Sequence, residues 1–74
     1  MKLAKTFEYH NGMVANRVCA YTFETAKKWF VHTIGCDIHT YKIEEVADKD
    51  LTAEDRDKLP VETLGYSFLN NPIH

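Results

Sequence analysis

The most regular stretch of the sequence, residues 22–35, reads TFETAKKWFVHTIG. Apolar residues recur along it every three or four positions, as expected for a helix with one buried side. Thr22 carries a hydroxyl that can accept from an early backbone N–H. Gly35 can adopt the left-handed conformation that ends many helices. The pattern therefore predicts a helix over residues 23–34 with Phe23, Ala26, Phe30 and Ile34 on one apolar stripe.

Two alternating runs, residues 3–9 and 14–20, precede this helix and predict an antiparallel hairpin. Asn11-Gly12 lies between them, and this dipeptide is typical of a two-residue turn because both of its positions need a positive φ. Such a loop fixes the pairing of the two strands. It predicts these partners: Tyr9 with Val14, Phe7 with Asn16, and Lys5 with Val18.

Residues 37–46 alternate again after the helix and predict a third strand. It can lie antiparallel beside the first strand or parallel beside the second, and we favour the antiparallel order 2-1-3 because a lone parallel pair with one open face is unusual. Further along, Thr52 predicts the cap of a short helix that runs through Leu59 and stops at Pro60. The alternation over residues 64–68 predicts either a fourth strand or an irregular segment packed on the core.

These elements predict an α+β fold, a two-layer sandwich built from an antiparallel β-hairpin, a helix and a strand in the order ββαβ. A short C-terminal helix and the fourth strand or irregular segment follow. The 74 residues suffice for one small domain, which we place at residues 1–69, with residues 70–74 as a loose tail. Because a chain of this size buries only about 60% of its unfolded surface, its core is thin and a partner could add to it.

Charge and cysteine content exclude several classes of protein. The net charge is −2, which gives no global reason to expect binding to nucleic acid or to an anionic membrane. The charge is uneven along the chain, because residues 1–43 hold six Lys/Arg against three Asp/Glu and residues 44–74 hold three against eight. Two cysteines are too few for a disulfide scaffold, and no stretch has the length and apolarity of a membrane span. We expect a soluble, cytoplasmic protein with free thiols.

Candidate chemistry is sparse. His32, Cys36 and His39, with Cys19 as a fourth ligand, have the residue types of a zinc site, although Gly35 should end the helix before Cys36. A Cys36 nucleophile with His39 as its base would need a substrate pocket for which the fold has little room. The acidic run from residue 48 lacks the glycine and the final glutamate of a calcium loop. We therefore expect no cofactor and no enzymatic activity.

Aromatic residues are abundant, with four Phe, four Tyr and one Trp. One helix covers only one face of a sheet, so some of these rings should stay exposed, and exposed Trp and Tyr are common anchors of protein interfaces. The sequence thus predicts a protein-binding surface. Its predicted anchors are Tyr21, Trp29 and Tyr41, and its predicted rim charges are Arg17, Lys28, Glu45 and Asp48.

Residues 14–46 carry a resemblance to known proteins. Their elements are the run Val18-Cys19-Ala20-Tyr21-Thr22, a helix with Ala26 and Trp29, and a return strand that ends at Val46. In organisation this resembles small phage and mobile-element accessory proteins, among them inhibitors of host RNA polymerase and anti-CRISPR proteins. The resemblance implies that such a protein blocks a larger host enzyme complex by stoichiometric binding. It carries no functional residue over to this chain.

Two other functions and one oligomeric state stay open. A small nucleic-acid-binding protein could use the basic N-terminal half, and a steep loss of affinity with salt would identify it. A small zinc-binding protein could use His32, Cys36 and His39, and a chelator would then unfold it. A homodimer is compatible with each of these functions, because an uncovered sheet face or edge strand invites pairing.

Overall fold

A computed structural model of the chain shows an α+β fold. It describes residues 3–10, 15–35, 42–66 and 69. One sheet contains β1 (Lys5–His10), β2 (Ala15–Ala20) and β3 (Lys42–Glu45) in the order β2-β1-β3. Both neighbouring pairs are antiparallel, which confirms the fold class and the favoured strand order. Residues 37–41 of the predicted third strand, with the predicted anchor Tyr41, lie outside the described residues.

The register of β1 against β2 differs by two residues from the predicted hairpin. Phe7 faces Val18 instead of Asn16, and Lys5 faces Ala20. A shift of two residues leaves every side chain on its own face of the sheet, so the apolar pattern cannot distinguish the two registers. The observed register also places Glu8 opposite Arg17, and opposite charges across a strand pair are favourable. The predicted Asn11-Gly12 turn lies outside the described part of the chain.

Helix α1 (Phe23–Ile34) has the predicted bounds because both of its ends are capped. The Thr22 hydroxyl accepts from the Thr25 N–H at 3.2 Å. Gly35 has a φ of 74°, and its N–H donates to the Val31 carbonyl at 3.1 Å. The helix packs on one face of the sheet, and the buried cluster between them has these members: Phe7, Tyr9, Val18, Ala20, Ala26, Phe30 and Val61.

A second short helix, α2 (Ala53–Asp57), confirms the cap predicted at Thr52. The Asp55 N–H donates to the Thr52 hydroxyl, and the Thr52 N–H donates to the Asp55 carboxylate, each at 3.1 Å. This reciprocal capping box satisfies two donors that a helix start would leave unpaired. The helix ends at Asp57, two residues before the predicted Leu59. Single turns of 3-10 helix lie on either side of it, at Asp48–Asp50 and Val61–Thr63.

The segment after the second 3-10 turn is irregular as far as it is described. Leu64 and Gly65 form a turn, with a Gly65 φ of 78°, and Tyr66 is in no regular element. Residues 64–66 therefore follow the irregular alternative and not the fourth strand, while Phe68 lies outside the described residues. Leu69 packs against the core, and the predicted tail at residues 70–74 is outside the described part as well. None of the described helices could cross a membrane.

Candidate functional site

One side of the molecule is formed by β2, an edge strand, and by residues 58–62, which run beside it. The Lys58 ammonium donates to the Arg17 carbonyl at 3.3 Å. The Tyr21 N–H donates to Oε2 of Glu62 at 2.9 Å. Each contact joins residues that are 41 positions apart, so the segment follows β2 in the same direction. Side chains at two points, and not a backbone ladder, fix it to the strand.

A groove of about 290 Å³ lies between β2, this segment and α1. We call it the β2 groove. Its buried lining comes from Val18, Cys19 and Val61, and half-buried Trp29 reaches it from α1. The exposed apolar lining comes from Leu59, Leu64 and Tyr66, which are 64%, 48% and 40% exposed. Arg17 and Lys58 are its charged members.

Two buried polar atoms close to the β2 groove have no hydrogen-bond partner in the described structure. The first is Nε1 of Trp29, whose indole also packs edge-to-face on Phe30 at a centroid distance of 5.5 Å. The second is Oε1 of Glu62, which does not line the groove itself but follows the lining residue Val61 in the sequence. A buried indole N–H usually finds an acceptor, and a buried carboxylate oxygen usually finds a donor. The region thus holds one unused donor and one unused acceptor.

The Cys19 thiol is buried in the lining of the β2 groove. Burial raises its pKa, and the negative charge of Glu62 acts in the same direction, while Lys58 opposes them. A thiol with a raised pKa stays protonated at neutral pH, whereas nucleophilic cysteines need a lowered pKa. Cys19 therefore lines the β2 groove as a small apolar side chain.

A second cavity, of about 470 Å³, lies on the face of the sheet opposite α1 and is strongly charged. Its lining includes Glu8, Glu44, Glu45 and Asp50 around Arg17. The Arg17 guanidinium lies 3.1 Å from the Glu8 carboxylate and 2.6 Å from that of Asp55, and it donates to the Asp50 carbonyl at 3.3 Å. These carboxylates raise the pKa of Arg17, with Asp55 acting most strongly. The contacts join the sheet to residues 50–55.

The structure brings two of the predicted site residues, Arg17 and Trp29, together in the β2 groove. Tyr21 is half-buried at the end of β2, where its N–H contacts Glu62. Lys28 is also half-buried, and its ammonium donates to the Leu69 carbonyl at 3.0 Å.

The other predicted rim charges lie away from this groove. Glu45 is in β3, at the opposite edge of the sheet, and its carboxylate is 3.5 Å from the Lys5 ammonium. Asp48 is exposed, and its carbonyl accepts from Arg56 at 3.0 Å. These positions do not form one continuous patch with Trp29, so contact of Glu45 and Asp48 with the same partner stays a prediction.

Sequence reasoning missed the exposed part of the groove, namely Leu59, Leu64 and Tyr66. The alternation of residues 64–68 suggested either a strand or a packed segment, and both would leave little of Leu64 and Tyr66 exposed. The available signal was the turn residue beside each leucine, Pro60 after Leu59 and Gly65 after Leu64. Such residues place their neighbours at bends of the chain, where apolar side chains often stay at the surface.

The structure tests the zinc-binding and the nucleic-acid-binding alternatives only in part. Of the predicted zinc ligands, His32 is exposed on α1, whereas Cys36 and His39 lie outside the described residues. Within the described ranges, no three His, Cys, Asp or Glu residues are grouped so that they could hold a metal ion. Three basic residues of the N-terminal half form ion pairs: Lys5 with Glu45, Arg17 with Glu8 and Asp55, and Lys42 with Glu44.

Comparison with known proteins finds no matching protein family, no matching curated protein and no matching solved structure. The interpretation of the β2 groove therefore depends on its own geometry.

Proposed function

We propose that this protein is a non-enzymatic binding module that recognises a partner protein through the β2 groove. The observation that carries the proposal is the gathering of exposed Leu59, Leu64 and Tyr66 with half-buried Trp29 around one groove. Adjoining apolar side chains at a surface mark interaction sites more often than scattered ones do. Trp and Tyr are also the residues that contribute most often to the energy of protein interfaces.

The mode of action that we propose is stoichiometric blocking. The resemblance to small phage and mobile-element accessory proteins supports a cytoplasmic inhibitor whose partner is a host enzyme complex, of the RNA polymerase or the CRISPR-type defence class. A protein that acts by occupying a surface needs an apolar anchor and a polar rim but no catalytic group. Trp29 serves as the anchor, and Arg17 and Lys58 are the nearest charges of the rim.

Matched leucine substitutions test this proposal. Leu59→Asp places a charge in the groove, whereas Leu3→Asp makes the same change at a leucine that is 76% exposed and outside the groove lining. Tagged wild type and both variants are used to capture proteins from a nuclease-treated bacterial lysate, and mass spectrometry quantifies what each retains. We expect wild type and Leu3→Asp to retain one enzyme complex at near-stoichiometric yield and Leu59→Asp to lose it.

Thermal unfolding of the three proteins is the control, because both leucines are exposed and neither change should unfold the chain. Equal retention by all three folded proteins would show that the β2 groove is not the binding surface. Capture from untreated lysate that disappears on nuclease treatment or at raised salt would instead support the nucleic-acid-binding alternative.

A further inference from the structure

The sheet has a second edge, which β3 forms on the side away from β2. In an antiparallel pair, successive residues turn their N–H and C=O alternately to one side and to the other. The Val46 N–H donates to the Thr6 carbonyl at 2.8 Å, and this pair continues the register of β3 with β1. Even-numbered residues of β3 therefore bond to β1. It follows that Ile43 and Glu45 turn their N–H and C=O to the outer edge.

The outer edge of β3 is open, unlike that of β2. Residues 58–62 run beside β2, whereas β3 packs mainly on β1 among the described elements. In the described part of the chain, no hydrogen bond reaches the outward N–H or C=O of Ile43 or Glu45. The side chains of Lys42, Glu44 and Glu45 are 66%, 52% and 54% exposed. A further strand can therefore approach β3 without displacing any described residue.

The two faces of β3 carry different side chains. Tyr9 is buried beneath α1 and faces Ile43, which packs on the same core, so Ile43 lies on the α1 face. Lys42 and Glu44 lie on the opposite face, where the Lys42 ammonium is 2.9 Å from the Glu44 carboxylate. Glu8 is directly opposite Glu44, and like charges in opposite positions are unfavourable. A further cation on the outer side of Glu44 would offset this repulsion.

The β3 strand of a second copy supplies that cation when the two strands pair about Ile43. Identical antiparallel strands that are related by a twofold axis perpendicular to the sheet pair about one central residue. Pairing about Lys42, Glu44 or Glu45 places that residue opposite itself and brings like charges together. Pairing about Ile43 places each Lys42 opposite the Glu44 of the other copy. It also joins the outward N–H and C=O groups of the two Ile43 residues.

We propose that the protein forms a symmetric dimer in which β3 pairs antiparallel with β3 of a second copy about Ile43. Charged residues at a sheet edge usually prevent pairing, but the order Lys42-Ile43-Glu44 makes them complementary in this register. The two sheets become one continuous sheet, with both α1 helices on the same face and a β2 groove at each outer edge. Because β3 has only four residues, we expect a weak dimer that depends on protein concentration.

Two charge reversals test the register. Sedimentation velocity over about a hundredfold range of protein concentration should show wild type passing from monomer to dimer. Lys42→Glu places two glutamates opposite each other and Glu44→Lys places two lysines opposite each other, so we expect each variant alone to stay monomeric. In an equal mixture, every opposite pair is again one lysine and one glutamate. We expect the mixture to form dimers with one chain of each variant, which native mass spectrometry identifies when one variant is isotope-labelled.

Matched controls separate this contact from the effect of net charge. Lys49→Glu and Glu54→Lys make the same changes of charge at exposed residues outside β3, and both should dimerise as wild type does. Thermal unfolding shows whether each variant is folded. In wild type, hydrogen exchange gives a readout that needs no variant: the Ile43 amide should exchange more slowly at high protein concentration, whereas the Glu44 amide, which bonds to β1, should change little.

Four outcomes would overturn the proposed dimer. They are a wild type that stays monomeric at every concentration, an Ile43 amide whose exchange does not depend on concentration, dimers that persist in both charge reversals, and folded reversals that fail to dimerise on mixing. The proposed function is tested separately, because capture through the β2 groove depends on Leu59 and not on β3. A monomeric protein that still captures its partner in a Leu59-dependent way would contradict the dimer alone.

Discussion

At the scale of single residues, Arg17 connects parts of the chain that are distant in sequence. Its guanidinium bridges Glu8 on β1 and Asp55 on α2, and it also reaches the carbonyl of Asp50. Asp55 is only 6% exposed, so its carboxylate depends on partners supplied by the protein. Arg17 thereby contributes to the register of the hairpin and to the position of the segment that forms one wall of the β2 groove.

This role predicts an unequal effect of two arginine substitutions. Arg17→Met removes the cation nearest to the Asp55 and Glu8 carboxylates and leaves Asp55 only the more distant Lys58, at 3.8 Å. Arg56→Met removes only an exposed contact with the Asp48 carbonyl. We expect Arg17→Met to lower the free energy of unfolding clearly and Arg56→Met to change it little. Urea unfolding of both variants and of wild type measures the difference. Equal losses would show that Arg17 acts only as a surface charge.

At the scale of secondary-structure elements, the sequence predicts both ends of α1 and the start of α2 correctly because residues close by in the chain determine them. The bounds of α1 follow from the Thr22 cap, the apolar spacing and Gly35, all within fourteen residues. The start of α2 follows from Thr52 and Asp55 in the same way. The predicted register of β1 with β2 was wrong, because two registers that differ by two residues bury the same faces of the strands. The observed register places Glu8 opposite Arg17, and the Arg17 guanidinium also contacts Asp55, 38 positions away in the sequence.

The cap of α1 gives the prediction at this scale. Thr22→Ala removes the hydroxyl that accepts from the Thr25 N–H, and we expect it to cost about 1 kcal/mol of stability. Thr33→Ala is the matched control, because Thr33 is exposed inside α1 and alanine is the better helix former there. Thermal unfolding should show a lower midpoint for Thr22→Ala and an equal or higher one for Thr33→Ala. The same midpoint for both variants would contradict the capping role.

At the scale of the whole molecule, two properties arise only when distant segments meet. The β2 groove takes its lining from four parts of the chain, at residues 17–19, 29, 58–61 and 64–66, so no local pattern could reveal it. The basic and acidic halves of the sequence are also interleaved in the described structure. Lys5, Arg17 and Lys42 each contact carboxylates, and three of those carboxylates, Glu44, Glu45 and Asp55, belong to the acidic half. The separation of charge along the sequence is therefore reduced on folding.

This interleaving predicts how the whole molecule responds to acid. The pKa of Asp55 is lowered, first by the hydrogen bond from the Thr52 backbone N–H and then by Arg17. The pKa of Glu44 is lowered mainly by Lys42, with a smaller effect of His10. A carboxyl group whose pKa is lower in the folded state stabilises the fold above its ordinary value. For these two groups the ordinary values are 3.8 and 4.5. The stabilisation is lost as the pH falls below them and through the lower folded-state values.

We therefore expect the free energy of unfolding to decrease as the pH is lowered from 5 to 2, and we expect Asp55 to contribute more of the decrease than Glu44. Asp55 is buried and held by Thr52 and Arg17, whereas the Glu44 side chain is 52% exposed and screened by solvent. Asp55→Asn should be less stable than wild type at pH 7 and should approach it at pH 2, while Glu44→Gln should stay close to wild type throughout. Urea unfolding across this pH range measures all three proteins. If wild type and Asp55→Asn differ by the same amount at every pH, ionisation of Asp55 does not stabilise the fold.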